Sequence, residues 1–361
     1  MRKLILVINP GSTSTKISVY EGSNELFTKT LRHTNEELSP YTGVKDQKSF
    51  RTGEVKKALC ENNIKLEDLD IIVARGGLLR PIPSGVYGVN AQMLNDVESA
   101  CYGEHASNLG AMVASELVSE IKSSFAKQIN AIIADPVVVD ELEPIARITG
   151  LPIFPKRSIF HALNQKAIAK RYAKEHGKEY KDLNLIVAHL GGGVSVGIHM
   201  NGRVVDVNDA LNGDGPFSPE RSGALPAMQV AELCFSGKHA LPEIKKMING
   251  KGGVVAHLGT NSFAEVEKKV EAGDKDAKLI SDAFGYNLAK AIGGVATVAD
   301  GKIDAILITG GIAYNTPLMK QVEKRVSFIA PVTLYPGEDE MGALASNALA
   351  VLNGTEVIKN Y

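Results

Sequence analysis

One stretch near the start of the chain limits what it can become. The apolar run Leu4-Ile5-Leu6-Val7-Ile8 stops at Asn9-Pro10-Gly11-Ser12-Thr13-Ser14-Thr15-Lys16 and resumes as Ile17-Ser18-Val19-Tyr20. The pattern predicts strand, polar turn, strand, with Asn9-Pro10-Gly11 ending the ladder and Gly11 letting backbone N–H groups crowd an anion. Hydroxyl and amide side chains and one lysine then face whatever sits in the turn, which suits a phosphate. It is not a Walker loop, because the Gly-x-x-x-x-Gly-Lys pattern is missing and a strand follows instead of a helix. On this stretch alone an ordinary hairpin connection is an equal reading.

The same plan returns. Leu185-Ile186-Val187-Ala188-His189-Leu190-Gly191-Gly192-Gly193-Val194-Ser195-Val196-Gly197-Ile198 repeats it, with Val7, Asn9, Gly11 and Gly22 opposite Val187, His189, Gly191 and Gly202 at one constant offset. A second echo links Asp70-Ile71-Ile72-Val73-Ala74-Arg75-Gly76-Gly77 to Asp304-Ala305-Ile306-Leu307-Ile308-Thr309-Gly310-Gly311. Two halves, each with a phosphate-type hairpin and a strand ending in Gly-Gly, predict a duplicated α/β domain. A chain of 361 residues also exceeds one compact core.

Between these landmarks helices and strands alternate. Leu109, Met112, Val113, Leu117 and Ile121 make one helix face. Ile129 to Ala134 is a buried strand stopped by Asp135-Pro136, which sets Asp135 at a strand's edge. Ser158 is the expected N-cap of a helix carrying Phe160, Leu163, Ala167, Ile168 and Tyr172, with His161 in its first turn. Ile280, Phe284, Leu288, Ala291, Val295 and Val298 stripe a long helix ending at Asp300-Gly301. Ala343 to Leu352 is a helix behind Glu338-Asp339-Glu340, one of which serves as its cap. The loop Asn212 to Gly223 is long and carries Arg221 between Glu220 and Ser222-Gly223. An oxyanion site explains it, and so does a solvated arginine on a turn.

Composition excludes several classes. Forty basic against 41 acidic residues, net charge −1, disfavours nucleic acid or an anionic membrane as partner. Cys60, Cys101 and Cys234 are widely spaced, with no Cys-x-x-Cys pair, and are expected to be small buried side chains. With no long apolar segment and a strand beginning close to Met1, the expected location is cytoplasmic.

Asn9 to Lys16, His189 to Ser195, Glu220-Arg221-Ser222-Gly223 and Thr309-Gly310-Gly311-Ile312-Ala313-Tyr314-Asn315 together resemble the acetokinase family, within the acetate and sugar kinase, heat-shock chaperone and actin superfamily. The Val73 to Gly77 strand end and Ala134 to Glu141 resemble its butyrate kinase branch in particular. That resemblance implies two duplicated actin-like (ribonuclease H-like) domains, with mixed sheets, helices on both faces and a cleft between them. The expected division is 1–156 plus 338–361, with the acyl and phosphate site, and 157–337, binding nucleotide. It implies reversible ATP-dependent phosphorylation of a short-chain carboxylate, butyrate or a branched acid, with ATP/ADP and Mg2+, in a homodimer or higher homo-oligomer used in fatty acid fermentation.

The resemblance also implies residue roles. Arg221, Arg75, Asp135, His161 and His189 are the expected catalytic set. Asn9, Gly11, Ser12, Ser14 and Lys16, then Gly191, Gly192 and Gly193, and finally Gly310, Gly311 and Asn315, hold phosphates and nucleotide. Glu340 is the expected metal ligand, with Glu338 in reserve. Arg75 matches either the arginine or the second histidine of the family's longer His-Arg-Val-Val-His-Gly-Gly segment. Gly259 to Ala264 replaces its charged Ser-Ser-Asp-x-Arg nucleotide stretch. A sugar or polyol kinase on this fold, with Asp135 as base, and a non-catalytic nucleotide switch are the alternatives. An ionised carboxylate nucleophile needs arginines and no base, which favours the carboxylate kinase.

Overall fold

The computed structural model describes residues 3–361. It divides into two units, one made of the chain up to Val139 together with Asp339–Tyr361, the other Asp140–Glu338. The division lies at 139/140 and 338/339, against the expected 156/157 and 337/338. The segment after Val139 belongs with the second unit because it is bonded to a strand there. Glu143 N–H donates to Val205 O at 2.9 Å, Val204 N–H to the Glu141 carboxylate at 2.9 Å, and Lys156 pairs with Asp206. Buried Lys166 also holds Glu141 at 2.7 Å.

The first unit is a six-stranded sheet in the order β3-β2-β1-β4-β6-β5. Its strands are β1 Leu4–Gly11, β2 Ser14–Glu21, β3 Asn24–Arg32, β4 Ile71–Arg75, β5 Val86–Gly88 and β6 Asn130–Ala134. β1, β2 and β3 form an antiparallel meander, while β4 and β6 run parallel to β1. One expectation is corrected here. Asn9-Pro10-Gly11 do not end the ladder; they stay paired with Lys16, Thr15 and Ser14 of β2. Only the parallel pairing to β4 ends, at Ile8 opposite Ala74, so Pro10 sits where one neighbour has already left and its missing N–H does little harm.

The second unit repeats the plan, with β7 Leu185–Leu190, β8 Val194–Met200, β9 Arg203–Val207, β10 Ala305–Gly310 and β11 Val332–Pro336 in the order β11-β10-β7-β8-β9. The duplication reaches fine detail. Each meander has a register shift in its second strand, between Val19 and Tyr20 in one and Ile198 and His199 in the other. Asp70 accepts the N–H of Leu4 at 2.8 Å and Asp304 that of Asn184 at 2.8 Å, so each echo aspartate fastens its strand to the meander.

Helices cover both faces of each sheet. In the second unit Leu185, Val187, Ala305 and Leu307 pack on the helix Ala162–Glu175 through Ala169, Tyr172 and Ala173. Their strand neighbours Ile186, Ala188, Ile306 and Ile308 face Phe284, Leu288 and Ile292 of the helix Lys275–Ala296. Alternation along the strands thus feeds two cores, which is why these strands read as unbroken apolar runs. In the first unit the helices Lys48–Glu61 and Leu109–Phe125 lie on one side and Glu340–Leu352 on the other. The predicted face Leu109, Met112, Val113, Leu117 and Ile121 is entirely buried.

Local expectations failed in three places. Ser158 is not an N-cap: the helix starts at Ala162 with His161 at the cap position, because Ile159 O is taken by Ala210 N–H at 2.9 Å and holds the chain extended. Val298 is 41% exposed, since it follows the last turn of its helix in a 3-10 segment. Cys60, Cys101 and Cys234 are all exposed. Cys234 lies on Ala227–Phe235, a helix that buries none of its residues, and Cys101 in the turn after another helix.

Candidate active site

In the first unit the predicted residues gather where β1, β4 and β6 end. Asn9 Nδ2 donates to Glu340 Oε2 at 2.6 Å, and Arg75 Nη1 lies 3.2 Å from Glu340 Oε1. Glu340 opens its helix directly after the cap Asp339, whose carboxylate accepts Gly342 N–H at 2.8 Å. A carboxylate in a helix's first turn is favoured by the dipole, and Arg75 and Asn9 fix its direction. Lys16 stands opposite Asn9 in the register and Ser14 opposite Gly11, so Asn9, Ser14 and Lys16 share one face of the hairpin. Ser12, Thr13 and Lys16 are exposed.

Asp135 lies just beyond β6 and is buried, with a left-handed φ of 39°. Its Oδ1 accepts Ser84 Oγ–H at 2.7 Å and Gly85 N–H at 2.8 Å. This strained position is held by a dedicated cradle, the kind of backbone outlier that collects at functional sites.

In the second unit His189 is buried and its Nδ1 faces Asn164 Oδ1 at 2.9 Å. Its Nε2 faces Glu338 Oε1 at 3.1 Å, and its ring stacks on that of His161 with centroids 3.9 Å apart. Amide oxygens only accept, so Nδ1 carries a proton; Nε2 can donate to Glu338 as well once the ring is fully protonated. Behind His161 runs a buried chain. Gln165 Nε2 donates to Ser195 Oγ at 2.8 Å, leaving the hydroxyl proton for His161 Nδ1 at 2.8 Å, and Gln165 Oε1 takes the His199 Nε2 proton at 3.0 Å. Tyr180 closes the chain on His199 Nδ1 at 2.8 Å. Complete burial, with the Lys166 charge adding to it, holds His199 well below its ordinary value and keeps it neutral. The chain thereby sets the His161 proton on Nε2.

Arg221 is positioned from several sides. Nη1 donates to Ala210 O at 2.7 Å and Nε to Asn249 Oδ1 at 3.3 Å, while the guanidinium lies against Gly193. A Cβ at 193 would sit 2.6 Å from Arg221 Cζ, so only glycine leaves room for this arginine. Burial lowers the Arg221 pKa, opposed by the charges of Glu220 and Asp209.

Gly191, Gly192, Gly311 and Glu338 line a cavity of about 330 Å³ together with Glu220 and Asn261, with Phe263 and Ile312 supplying its apolar wall. Gly310, at φ 95°, exchanges backbone hydrogen bonds with Gly337, and a side chain there would collide with the Leu190 carbonyl. Asn315, expected at the nucleotide, also caps the helix Thr316–Val326, its Oδ1 accepting Leu318 N–H at 3.0 Å.

Sequence reasoning missed Arg51, which underlies the first hairpin, and the Asn164, Gln165 and Ser195 support of the histidines. Arg51 gave no signal, since a charged residue at a helical position reads as solvated surface. Glu338 was legible only as a reserve to Glu340, yet each has its own partners, Glu338 with His189 and Glu340 with Asn9 and Arg75.

Comparison with known proteins bears on the family and the fold. The acetokinase family model matches residues 155–330. Butyrate kinase 2 of Clostridium acetobutylicum is 53% identical over 361 residues, all of both chains. The crystal structure of Porphyromonas gingivalis acetate kinase superposes with a TM-score of 0.79 at 19% identity, over 97% of this chain and all of that one. A propionate kinase structure from Francisella tularensis gives 0.75 at 19% identity, over 96% of this chain and 98% of that one. The two structures bear out the expected actin-like duplicated α/β fold. The chain belongs to the acetokinase family.

Proposed function

We propose that this chain transfers the γ-phosphoryl group of ATP reversibly to a short-chain carboxylate, butyrate or a branched acid of similar size, giving ADP and an acyl phosphate. The end-to-end identity of 53% to butyrate kinase 2 carries this reading. The site's chemistry supports it. A carboxylate is ionised at neutral pH and attacks without a base, so the enzyme has to neutralise charge and align two anions.

Arg221 has N–H groups beyond those given to Ala210 and Asn249, and its planar fork suits an equatorial phosphoryl oxygen. His189, directed by Asn164, adds a donor, with His161 stacked against it. Arg75 orients the acyl carboxylate, and Asn9, Ser12, Ser14 and Lys16 hold the phosphoryl oxygens. The cavity beside Gly191, Gly192 and Gly311 takes the nucleotide. Asp135 supports the sugar kinase alternative poorly, because its Oδ1 is already shared by Ser84 and Gly85 and it is buried.

Among the described residues no three metal-ligating side chains cluster. That fits Mg2+ arriving with the nucleotide, since this ion keeps its waters and takes one or two carboxylates plus phosphate oxygens. Glu340 is the residue that would hold it, and the ion would supply neutralisation of phosphate charge. A homodimer or larger assembly is supported by the exposed apolar side chains Ile145, Ile148, Ile153 and Phe154 on one segment and Met228 and Phe235 on another. No helix among the described residues is long and apolar enough to cross a membrane, and we place the reaction in the cytoplasm.

Hydroxylamine trapping with ATP, magnesium and butyrate tests the reading. Acyl hydroxamate formed in step with ADP is expected; ADP without hydroxamate across a range of carboxylates would remove it.

A further inference from the structure

Arg51 is completely buried on the helix Lys48–Glu61, yet among the described residues no carboxylate pairs with it. All of its N–H groups end on neutral acceptors. Nη2 donates to Ser12 O at 2.9 Å and Gln47 Oε1 at 2.8 Å, Nη1 to Ser14 O at 2.7 Å and Thr15 Oγ1 at 2.9 Å, and Nε to Gln47 Oε1 at 3.2 Å. Burial lowers it to about 10, so it stays charged at neutral pH. A desolvated cation without a counterion is costly, and a hydrophobic side chain would fill this space at less expense unless the grip on the hairpin matters.

The direction of that grip is informative. The carbonyls of Ser12 and Ser14 point to Arg51, and the one between them, Thr13 O, accepts His33 N–H at 2.9 Å. Among the described residues every peptide is trans, and in a trans peptide the N–H points opposite to the C=O. With Ser12 O turned to Arg51, the Thr13 N–H is turned the other way. Thr15, on the Arg51 side, alternates with Ser14 and Lys16, so Asn9, Ser14 and Lys16 stand on the face that Arg51 does not occupy. The Ser12 and Ser14 carbonyls and the Thr15 hydroxyl are thus taken up by Arg51, while the Thr13 N–H and the Ser14 and Lys16 side chains are directed away from it.

We propose that Arg51 is a positioning residue for phosphoryl transfer: by drawing the Ser12 and Ser14 carbonyls inward it leaves an amide and hydroxyl face for phosphoryl oxygens. The proposal rests on reading this hairpin as the phosphoryl-binding element. A turn with its carbonyls facing the anion would repel it, and Arg51 removes that repulsion without touching the ligand.

The test uses the full-length protein and its Arg51→Lys and Gln47→Glu variants. Lysine keeps the charge but cannot bridge Ser12, Ser14 and Gln47 together, and the carboxylate introduced by Gln47→Glu competes with the hairpin carbonyls for Arg51. Amide spectra of protein labelled with 15N-threonine, titrated with inorganic phosphate, report Thr13 directly and need no turnover. In both variants phosphate affinity at Thr13 should fall about tenfold, the value of one lost hydrogen bond, with Gln47→Glu keeping the native unfolding midpoint. The kcat for acyl phosphate should fall about a hundredfold in Arg51→Lys while the KM for ATP changes by less than about threefold.

Native phosphate binding in either folded variant overturns the proposal. So does a kcat loss that merely tracks the folded fraction. If Arg51→Lys does not fold, Gln47→Glu decides alone. Wild-type protein that makes no acyl phosphate, yet loses phosphate affinity when Arg51 is replaced, would strike the functional reading and leave this inference supported.

Discussion

The rings of His161 and His189 lie 3.9 Å apart at an interplanar angle of 17°, each ring directed by a different buried amide system. Asn164 orients His189 and the Ser195-Gln165 pair orients His161. Glu338 faces His189 Nε2 with a carboxylate oxygen at 3.1 Å and so holds the outer edge of the stacked pair. Replacing Glu338 by Gln should therefore lower kcat by loosening His189, and His161→Asn should lower it as well by removing the ring stacked on His189. A native kcat in Glu338→Gln would show that the contact is structural.

The fit of Arg221 over Gly193 yields a paired expectation. Arg221→Ala should lose about a thousandfold in turnover, with Arg221→Lys recovering little, because the fork and not the charge alone is used. Gly193→Ala should reproduce much of that loss without altering the arginine, since the added methyl occupies the guanidinium's seat. ADP affinity by calorimetry should hardly move in any of the three. Near-native turnover in Arg221→Ala would move the phosphoryl clamp to Arg75.

Substrate length gives a third expectation. Butyrate should be used with a higher kcat/KM than acetate, each buried methylene contributing about 0.8 kcal/mol where the pocket accepts it. A specificity series from acetate to pentanoate measures this, and acetate equal to or above butyrate would be the contrary result.

Stability should depend on pH through His33, which is 5% exposed and bonded to Thr15 at 3.0 Å. Burial first, and the Arg51 charge second, lower it from 6.5 to about 4. The unfolded chain then binds this proton more readily than the folded one. The contribution is fully present above pH 6.5 and is lost as pH falls from 6.5 towards 4, at no more than about 1.4 kcal/mol per pH unit. Urea unfolding of wild type and His33→Gln between about pH 4 and 7 should show a shallower slope in the variant. Parallel curves would mean that other groups carry the dependence.

The buried Lys166–Glu141 pair fastens the segment after Val139 to the second unit, with Lys166 also donating to Gly202 O at 3.1 Å. Lys166→Met leaves Glu141 without its cation and should cost about 3–5 kcal/mol in unfolding experiments. The double variant Lys166→Met with Glu141→Leu should recover a good part of it.

Much of this was legible from the chain alone. The repeat of Leu4 to Gly22 at Leu185 to Gly202 announced the two meanders, because hairpin geometry is written locally in strand alternation and turn residues. The Arg221 loop also showed itself, by its glycine and proline content. What stayed hidden depends on contacts between residues far apart in sequence. Nothing around residue 51 says that a helix will carry it beneath residues 12 to 15, and nothing around residue 158 says that a distant backbone amide will hold Ile159 extended. The cysteines were misjudged for the related reason that residue type sets only an average burial, while exposure is decided by which helix face meets the sheet.

The helix Glu340–Leu352 packs on β1 and β4, with Met341 and Leu344 buried in the first unit. The order of synthesis therefore runs against the order of completion. The strands β1 to β6 are made first, but one face of their sheet remains uncovered until the whole of Asp140–Glu338 has followed. Asp140–Glu338 has its whole core within one continuous segment and can close as soon as it is free to fold. The part of the molecule that begins the chain is in this sense the last to be finished, and its apolar sheet face is the surface that most needs protection while translation continues.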